Sequence, residues 1–138
     1  MNRVVDIREK LVISMGILIV SLGILTGCSS TNQSKILQEP TNIQEILVVL
    51  NNGESLKISN VDKIKDVVTT INKVSDTNEE STQDVPNVDK YGKIIVSTKE
   101  NKKTLYYYTK GGKYYLEEPY VGIYRSLQDF NKYFSSLK

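Results

Sequence analysis

The chain contains no histidine, no tryptophan and no alanine, only three prolines, and a single cysteine among its 138 residues. Each absence narrows the chemistry. Without histidine, the commonest general base and the commonest metal ligand are both missing. With Cys28 alone, no disulfide can form within the chain, so the fold has no covalent staple. An excess of one charge sign is also lacking, since 18 basic residues stand against 16 acidic ones. Removing residues 1–27 takes away Arg3, Arg8 and Lys10 together with Asp6 and Glu9, and leaves 15 against 14. That balance gives no electrostatic case for nucleic acid as a partner. No apolar run reaches the roughly 20 residues that a membrane-spanning helix needs.

What is present begins at the N-terminus. Arg3, Arg8 and Lys10 form a basic leader, followed by an apolar stretch over residues 11–25. Fifteen residues is the length of a secretory signal core. It ends in Leu25-Thr26-Gly27-Cys28, which resembles the lipobox of bacterial lipoproteins. Small residues there let a peptidase hold an extended backbone, and the thiol takes a diacylglyceryl thioether. The expectation is cleavage before Cys28, a lipid on Cys28, and a protein held on the extracytoplasmic face of the cell membrane. Residues 29–42 are mostly Ser, Thr, Asn and Gln with Pro40 near the end, and read as a flexible tether.

Residues 43–138 leave room for one domain with one core. Apolar residues 46–50, then Asn52-Gly53, then Leu56-Lys57-Ile58 predict a hairpin, because Asn-Gly supplies the positive φ of a tight turn. Ser59 or Asn60 caps a helix in which Val61, Ile64, Val67, Val68 and Ile71 form one stripe, ending near Lys73. Residues 75–84 are polar and acidic and read as a surface loop. Asp76, Asn78, Glu80 and Asp84 alternate there like calcium ligands, but Ser81 and Asn87 stand where such a loop needs Gly and Glu. Strands are expected at 93–97, 104–109 and 113–117, with Gly111-Gly112 as the last turn and Pro119 as a stop. Ser126 is expected to cap a second helix presenting Leu127, Phe130, Phe134 and Leu137. The expected fold is α+β, in the order β-β-α-β-β-β-α, with two helices on an antiparallel sheet.

All nine tyrosines follow residue 90. A two-residue turn at Gly111-Gly112 pairs Thr109 with Tyr114, Tyr108 with Tyr115, Tyr107 with Leu116 and Tyr106 with Glu117. Alternation then puts Leu105, Tyr107, Tyr114 and Leu116 on the core side. Tyr106, Tyr108, Tyr115 and Glu117 share the other side, and form the candidate ligand-binding site if that face is open. The plainer alternative is that these tyrosines stabilise the hairpin and pack under a loop or helix. Glu117 and Glu118 point to opposite faces and cannot flank one substrate as an acid/base pair. With no catalytic residue, metal or cofactor indicated, the chain reads as a non-enzyme.

The run Tyr114-Tyr115-Leu116-Glu117-Glu118-Pro119-Tyr120-Val121-Gly122-Ile123-Tyr124 is the least ordinary text here. Together with Asp84-Val85-Pro86 and the strand at 93–96, it resembles a domain of unknown function found in small lipoproteins of AT-rich Gram-positive bacteria. Related domains are also attached to membrane sensor proteins. That resemblance implies a lipoprotein with one domain, and carries no activity or site. The leading expectation is a monomeric, lipid-anchored binding module for a protein or a cell-wall ligand. The alternative is a structural or accessory subunit of a membrane complex or sensor system.

Overall fold

A computed structural model describes residues 35–37 and 39–138, so the signal segment and Cys28 lie outside the described residues. Two helices pack on one face of a seven-stranded antiparallel sheet, an α+β arrangement. The strands are β1 (Ile43–Val49), β2 (Ser55–Ile58), β3 (Ser75–Glu79), β4 (Tyr91–Thr98), β5 (Lys102–Lys110), β6 (Lys113–Glu118) and β7 (Gly122–Ser126). Helix α1 (Val61–Ile71) follows β2, and helix α2 (Phe130–Ser135) ends the fold. Across the sheet the strands run β2-β1-β4-β5-β6-β7-β3.

The first hairpin forms as expected, with Val49 opposite Ser55 and Gly53 at φ 88° in its turn. Asn60, not Ser59, caps α1, its side chain accepting from the amides of Asp62 and Lys63. Ile64, Val67, Val68 and Ile71 are buried, whereas Val61, in the helix's first turn, is exposed. In the second helix the cap is Asp129, whose carboxylate accepts from the Lys132 amide. The helix therefore starts at Phe130, three residues later than Ser126 would place it. Ser126 belongs to β7, and Leu127 is 96 % exposed instead of part of the buried stripe. Phe130 and Phe134 carry that packing, stacked at 6.1 Å and both set against Tyr107.

Two strands go beyond the expected order. Residues 75–79, expected as loop, form edge strand β3 on β7, with a register shift between Asp76 and Glu79. Asn78 sits at φ 59° in that irregularity, its amide bonded to the Asp76 carboxylate. Residues 122–126 form β7 on β6. The domain also begins earlier than residue 43. Ile36 and Leu37 are buried, and Asn72 clasps the Leu37 backbone, accepting from its N–H at 2.9 Å and donating to its C=O at 3.1 Å. A short 3-10 turn at Pro40–Asn42 then leads into β1. Isolated apolar residues among polar ones do not announce themselves as core, so composition alone assigns this stretch to the tether.

The core lies between the sheet and the helices. Ile46 and Val48 of β1, Ile94 and Val96 of β4, Leu105 and Tyr107 of β5 and Leu116 of β6 all face it. Tyr107 fits because its neighbour on β4 is Gly92. An ideal Cβ there would fall 2.0 Å from Tyr107 Cζ, so any side chain would displace the ring.

Candidate functional site

The turn at Gly111 (φ 57°) and Gly112 (φ 71°) fixes the tyrosine hairpin in the expected register. Thr109 pairs with Tyr114, Tyr108 with Tyr115, Tyr107 with Leu116 and Tyr106 with Glu117. Neighbouring strands extend these pairs into two rows on the face away from the helices. One row is Tyr91, Tyr108, Tyr115 and Arg125, and the next is Lys93, Tyr106, Glu117 and Ile123.

An open platform on that face would leave its rings exposed, and it does not. Tyr106 is 6 %, Tyr108 8 % and Glu117 5 % exposed. The cause is topological. The chain leaves β3 at one edge and re-enters at β4, so residues 80–90 must cross β7, β6 and β5. The helices fill one face, and the crossing takes the other. Ser81, itself buried, donates to Glu117 Oε1 at 2.7 Å, and Pro86 is buried as well. The acidic loop expected at the surface is therefore partly a strap over the tyrosines. Among the described residues, no cluster of three His, Cys, Asp or Glu side chains could hold a metal ion.

Beneath the strap the rings use one another as partners. Tyr108 stacks on Tyr115 at 5.6 Å, and the Arg125 guanidinium lies 5.4 Å from the Tyr115 ring centre. Tyr91 meets Tyr106 edge-on at 5.4 Å, and Lys93 Nζ lies 5.5 Å from the Tyr106 ring centre. Burial, then the Glu117 carboxylate, pushes the Tyr108 hydroxyl well above the usual phenol range. Glu118 faces the other way, paired with Lys103 at 2.8 Å, so the two adjacent carboxylates are separated by the sheet.

The strap leaves an opening at the end of the sheet where the hairpin turns. A cleft of about 250 Å³ lies between the hairpin rim, the start of β4, the β1–β2 turn and the start of α2. Five tyrosines line it, namely Tyr91, Tyr107, Tyr108, Tyr114 and Tyr115. Its polar lining includes Lys90, Asp129 and Asn131. Asn131 Oδ1 accepts from the Asn51 amide at 3.3 Å and from the Tyr107 hydroxyl at 3.4 Å, tying the β1–β2 turn and β5 to α2. Burial, with the Asp129 charge second, raises the Tyr107 pKa to about 12. Of the four tyrosine-face candidates, Tyr108 and Tyr115 reach this cleft, and Tyr106 and Glu117 do not. Reading the strands alone misses Lys90, Asp129 and Asn131, because the strap and the helix cap supply them.

The family DUF5301, described as "Domain of unknown function (DUF5300)", matches residues 30–125. The chain belongs to this family. Its matched span begins before Ile36 and Leu37, in keeping with their burial in the fold. The chain is also similar to a protein from Ruminococcus gnavus whose structure was determined by NMR. The two are 30 % identical with a TM-score of 0.64, over 70 % of this chain and 95 % of that one. No curated protein matches the chain.

Proposed function

We propose that this protein is a non-enzymatic binding module, anchored by a lipid on Cys28 to the extracytoplasmic face of the membrane. The observation that carries the binding reading is the tyrosine-lined cleft at the hairpin rim. Tyrosine rings offer apolar contact and a hydroxyl at the same position, which suits recognition of sugars and peptides. Lys90 and Asp129 add one charge of each sign, and Asn131 a side-chain amide. A space of about 250 Å³ takes one sugar ring or one amino-acid side chain, so the ligand is a projecting unit of a cell-envelope polymer or of a protein. The ring faces of Tyr108 and Tyr115 are turned to each other, so ligand contact falls to ring edges and hydroxyls.

The test is an NMR titration of the chain from Cys28 onward with soluble cell-wall fragments and with cell-surface peptides. Shifts clustered at Tyr91, Thr109, Tyr115 and Asn131, and abolished by Asn131→Leu, support the reading. Saturating shifts elsewhere, with the cleft silent, overturn it. The anchor is tested separately, by mass spectrometry of the membrane-extracted protein. A diacylglyceryl group on Cys28, and release of Cys28→Ala from the membrane, are the expected results.

A second reading, an accessory subunit of a membrane complex or sensor, draws support from the closed tyrosine face. A domain whose aromatic surface is already spent on its own strap is suited to be held by a larger assembly. Co-purification of the membrane-extracted protein in a stable complex, undiminished by cleft substitutions, favours this reading over the first.

A further inference from the structure

The strand directions sort the molecule into two ends. The N-terminal ends of β1, β5 and β7 lie at one end, with the C-terminal ends of β2, β3, β4 and β6. The cleft lies at the other end, with the Gly111-Gly112 turn, the β1–β2 turn and Leu127. The chain comes in at the first end. Lys103 Nζ donates to the Ile36 carbonyl at 3.1 Å, and Leu37 lines a shared hollow with Asn101 of the β4–β5 turn and Lys102 and Lys103 at the start of β5.

That same end carries an unusual tip. Glu118, Pro119, Tyr120 and Val121 form a turn closed by the Val121 N–H on the Glu118 carbonyl at 3.1 Å. Tyr120 takes φ 60° there, following a proline, at the turn position where glycine is the usual residue. Tyr120 is nevertheless 65 % and Val121 55 % exposed; the Asp84 carboxylate of the strap engages the Tyr120 hydroxyl and raises its pKa, while both side chains stay largely in solvent. The Asp84 contact engages the hydroxyl but buries little of either side chain, and leaves apolar surface at the tip open to an external partner. The exposed Lys99 and Lys102 flank Glu100 at the β4–β5 turn, Asp84 stands at the tip itself, and Glu79 ends β3.

We propose that the β4–β5 and β6–β7 turns form a membrane-contacting edge, with Tyr120 and Val121 at the lipid interface and Lys99 and Lys102 on anionic headgroups. This rests on the lipid-anchor reading, and it makes the cleft face away from the bilayer. Chain length carries the argument. Only six residues separate Cys28 from Lys35, and the seven steps reach about 25 Å at full stretch. The nine residues of β5 span about 30 Å. Turning the cleft end to the bilayer would need the tether drawn out along nearly the whole sheet, at the full cost in chain entropy. The near end, by contrast, meets the surface without stretching, and presents the tyrosine and lysines that interfaces favour.

The chain has no tryptophan, so one introduced indole reports its own position. The chain from Cys28 onward contains all the described residues and their core. Its single cysteine is coupled to a maleimide lipid in vesicles of phosphatidylcholine and phosphatidylglycerol carrying brominated acyl chains. Tyr120→Trp or Val121→Trp should lose much of its emission to bromine quenching, and Leu127→Trp should keep its own. Adding Lys99→Glu and Lys102→Glu should restore emission at the tip, as should high salt in part. Equal quenching at both ends, or stronger quenching at Leu127→Trp, overturns the orientation. Because the lipid is attached chemically, this outcome is independent of natural lipidation. If the native chain carries no lipid but the coupled one is quenched at the tip, the anchor reading alone fails.

Discussion

The two faces of the sheet are closed by different means. On one, α1 and α2 bury an aliphatic and phenylalanine surface of the kind any antiparallel sheet presents to helices. On the other, an irregular strap over residues 80–90 covers tyrosines, a carboxylate and two stacked cations. Apolar surface is satisfied by any apolar cover, so the helix face seals by shape alone. The tyrosine face has hydroxyls and Glu117 to satisfy, and does so through single contacts such as Ser81. The first face is therefore expected to be rigid and tolerant of equal-volume exchange. The second depends on a few polar contacts, and it is where the strap leaves the cleft open.

The sharpest contrast lies between adjacent residues of β5. Tyr107→Ala should destabilise the domain by about 3–5 kcal/mol, since the ring lies between Phe130, Phe134 and Gly92. Tyr108→Ala, on the strap side, should cost about 2–4 kcal/mol in urea melts, because the strap closes only partly over the void. A cost for Tyr108→Ala near zero would mean that the strap stands off the sheet, and the two faces would not be comparable.

Alkaline pH weighs both faces at once. Burial raises the Tyr107 pKa to about 12 and that of Tyr108 further, whereas an unfolded tyrosine ionises near 10. A raised folded pKa favours the protonated form, so its contribution is complete below pH 10. It is lost as pH climbs toward 12 and the unfolded chain sheds protons first. Urea midpoints should therefore fall above pH 10, and Tyr107→Phe should fall less steeply. A midpoint insensitive to pH up to 12 would show that the phenols ionise in place, with neither face sealed.

The smallest effect is expected at Tyr120, which touches the strap only at the exposed edge, where its hydroxyl meets the Asp84 carboxylate. Tyr120→Gly relieves the left-handed strain while freeing the unfolded chain, so its stability should stay within about 1 kcal/mol of the parent. A loss as large as that of Tyr108→Ala would place Tyr120 in the strap's packing and remove it from any interface.

The legible parts of this fold are those governed by local rules. Asn52-Gly53 and Gly111-Gly112 demand positive φ, and from them follow the register of both hairpins and the side each tyrosine takes. The spacing of Ile64, Val67, Val68 and Ile71 is likewise local. The rest depended on tertiary partners. Ser75-Asp76-Thr77-Asn78-Glu79 has no apolar alternation because it is an exposed edge, so only its pairing with β7 makes it a strand. Leu127 fits the helical stripe by spacing, but Asp129 caps the helix later and leaves Leu127 outside it. Alternation could say that Tyr106 and Tyr108 share a face, but not what covers it. That information sits in the β3–β4 crossover, which follows from the position of β3 in the sheet.

Tyrosine nitration with peptide mapping tests the closed second face most directly, because the reagent reaches phenols in proportion to their exposure. The account predicts rapid modification of Tyr120 and then Tyr91, with Tyr106, Tyr107 and Tyr108 protected until the protein is unfolded. Modification of Tyr106 and Tyr108 as fast as Tyr120, in protein that still melts cooperatively, would contradict it and return the tyrosine face to the surface.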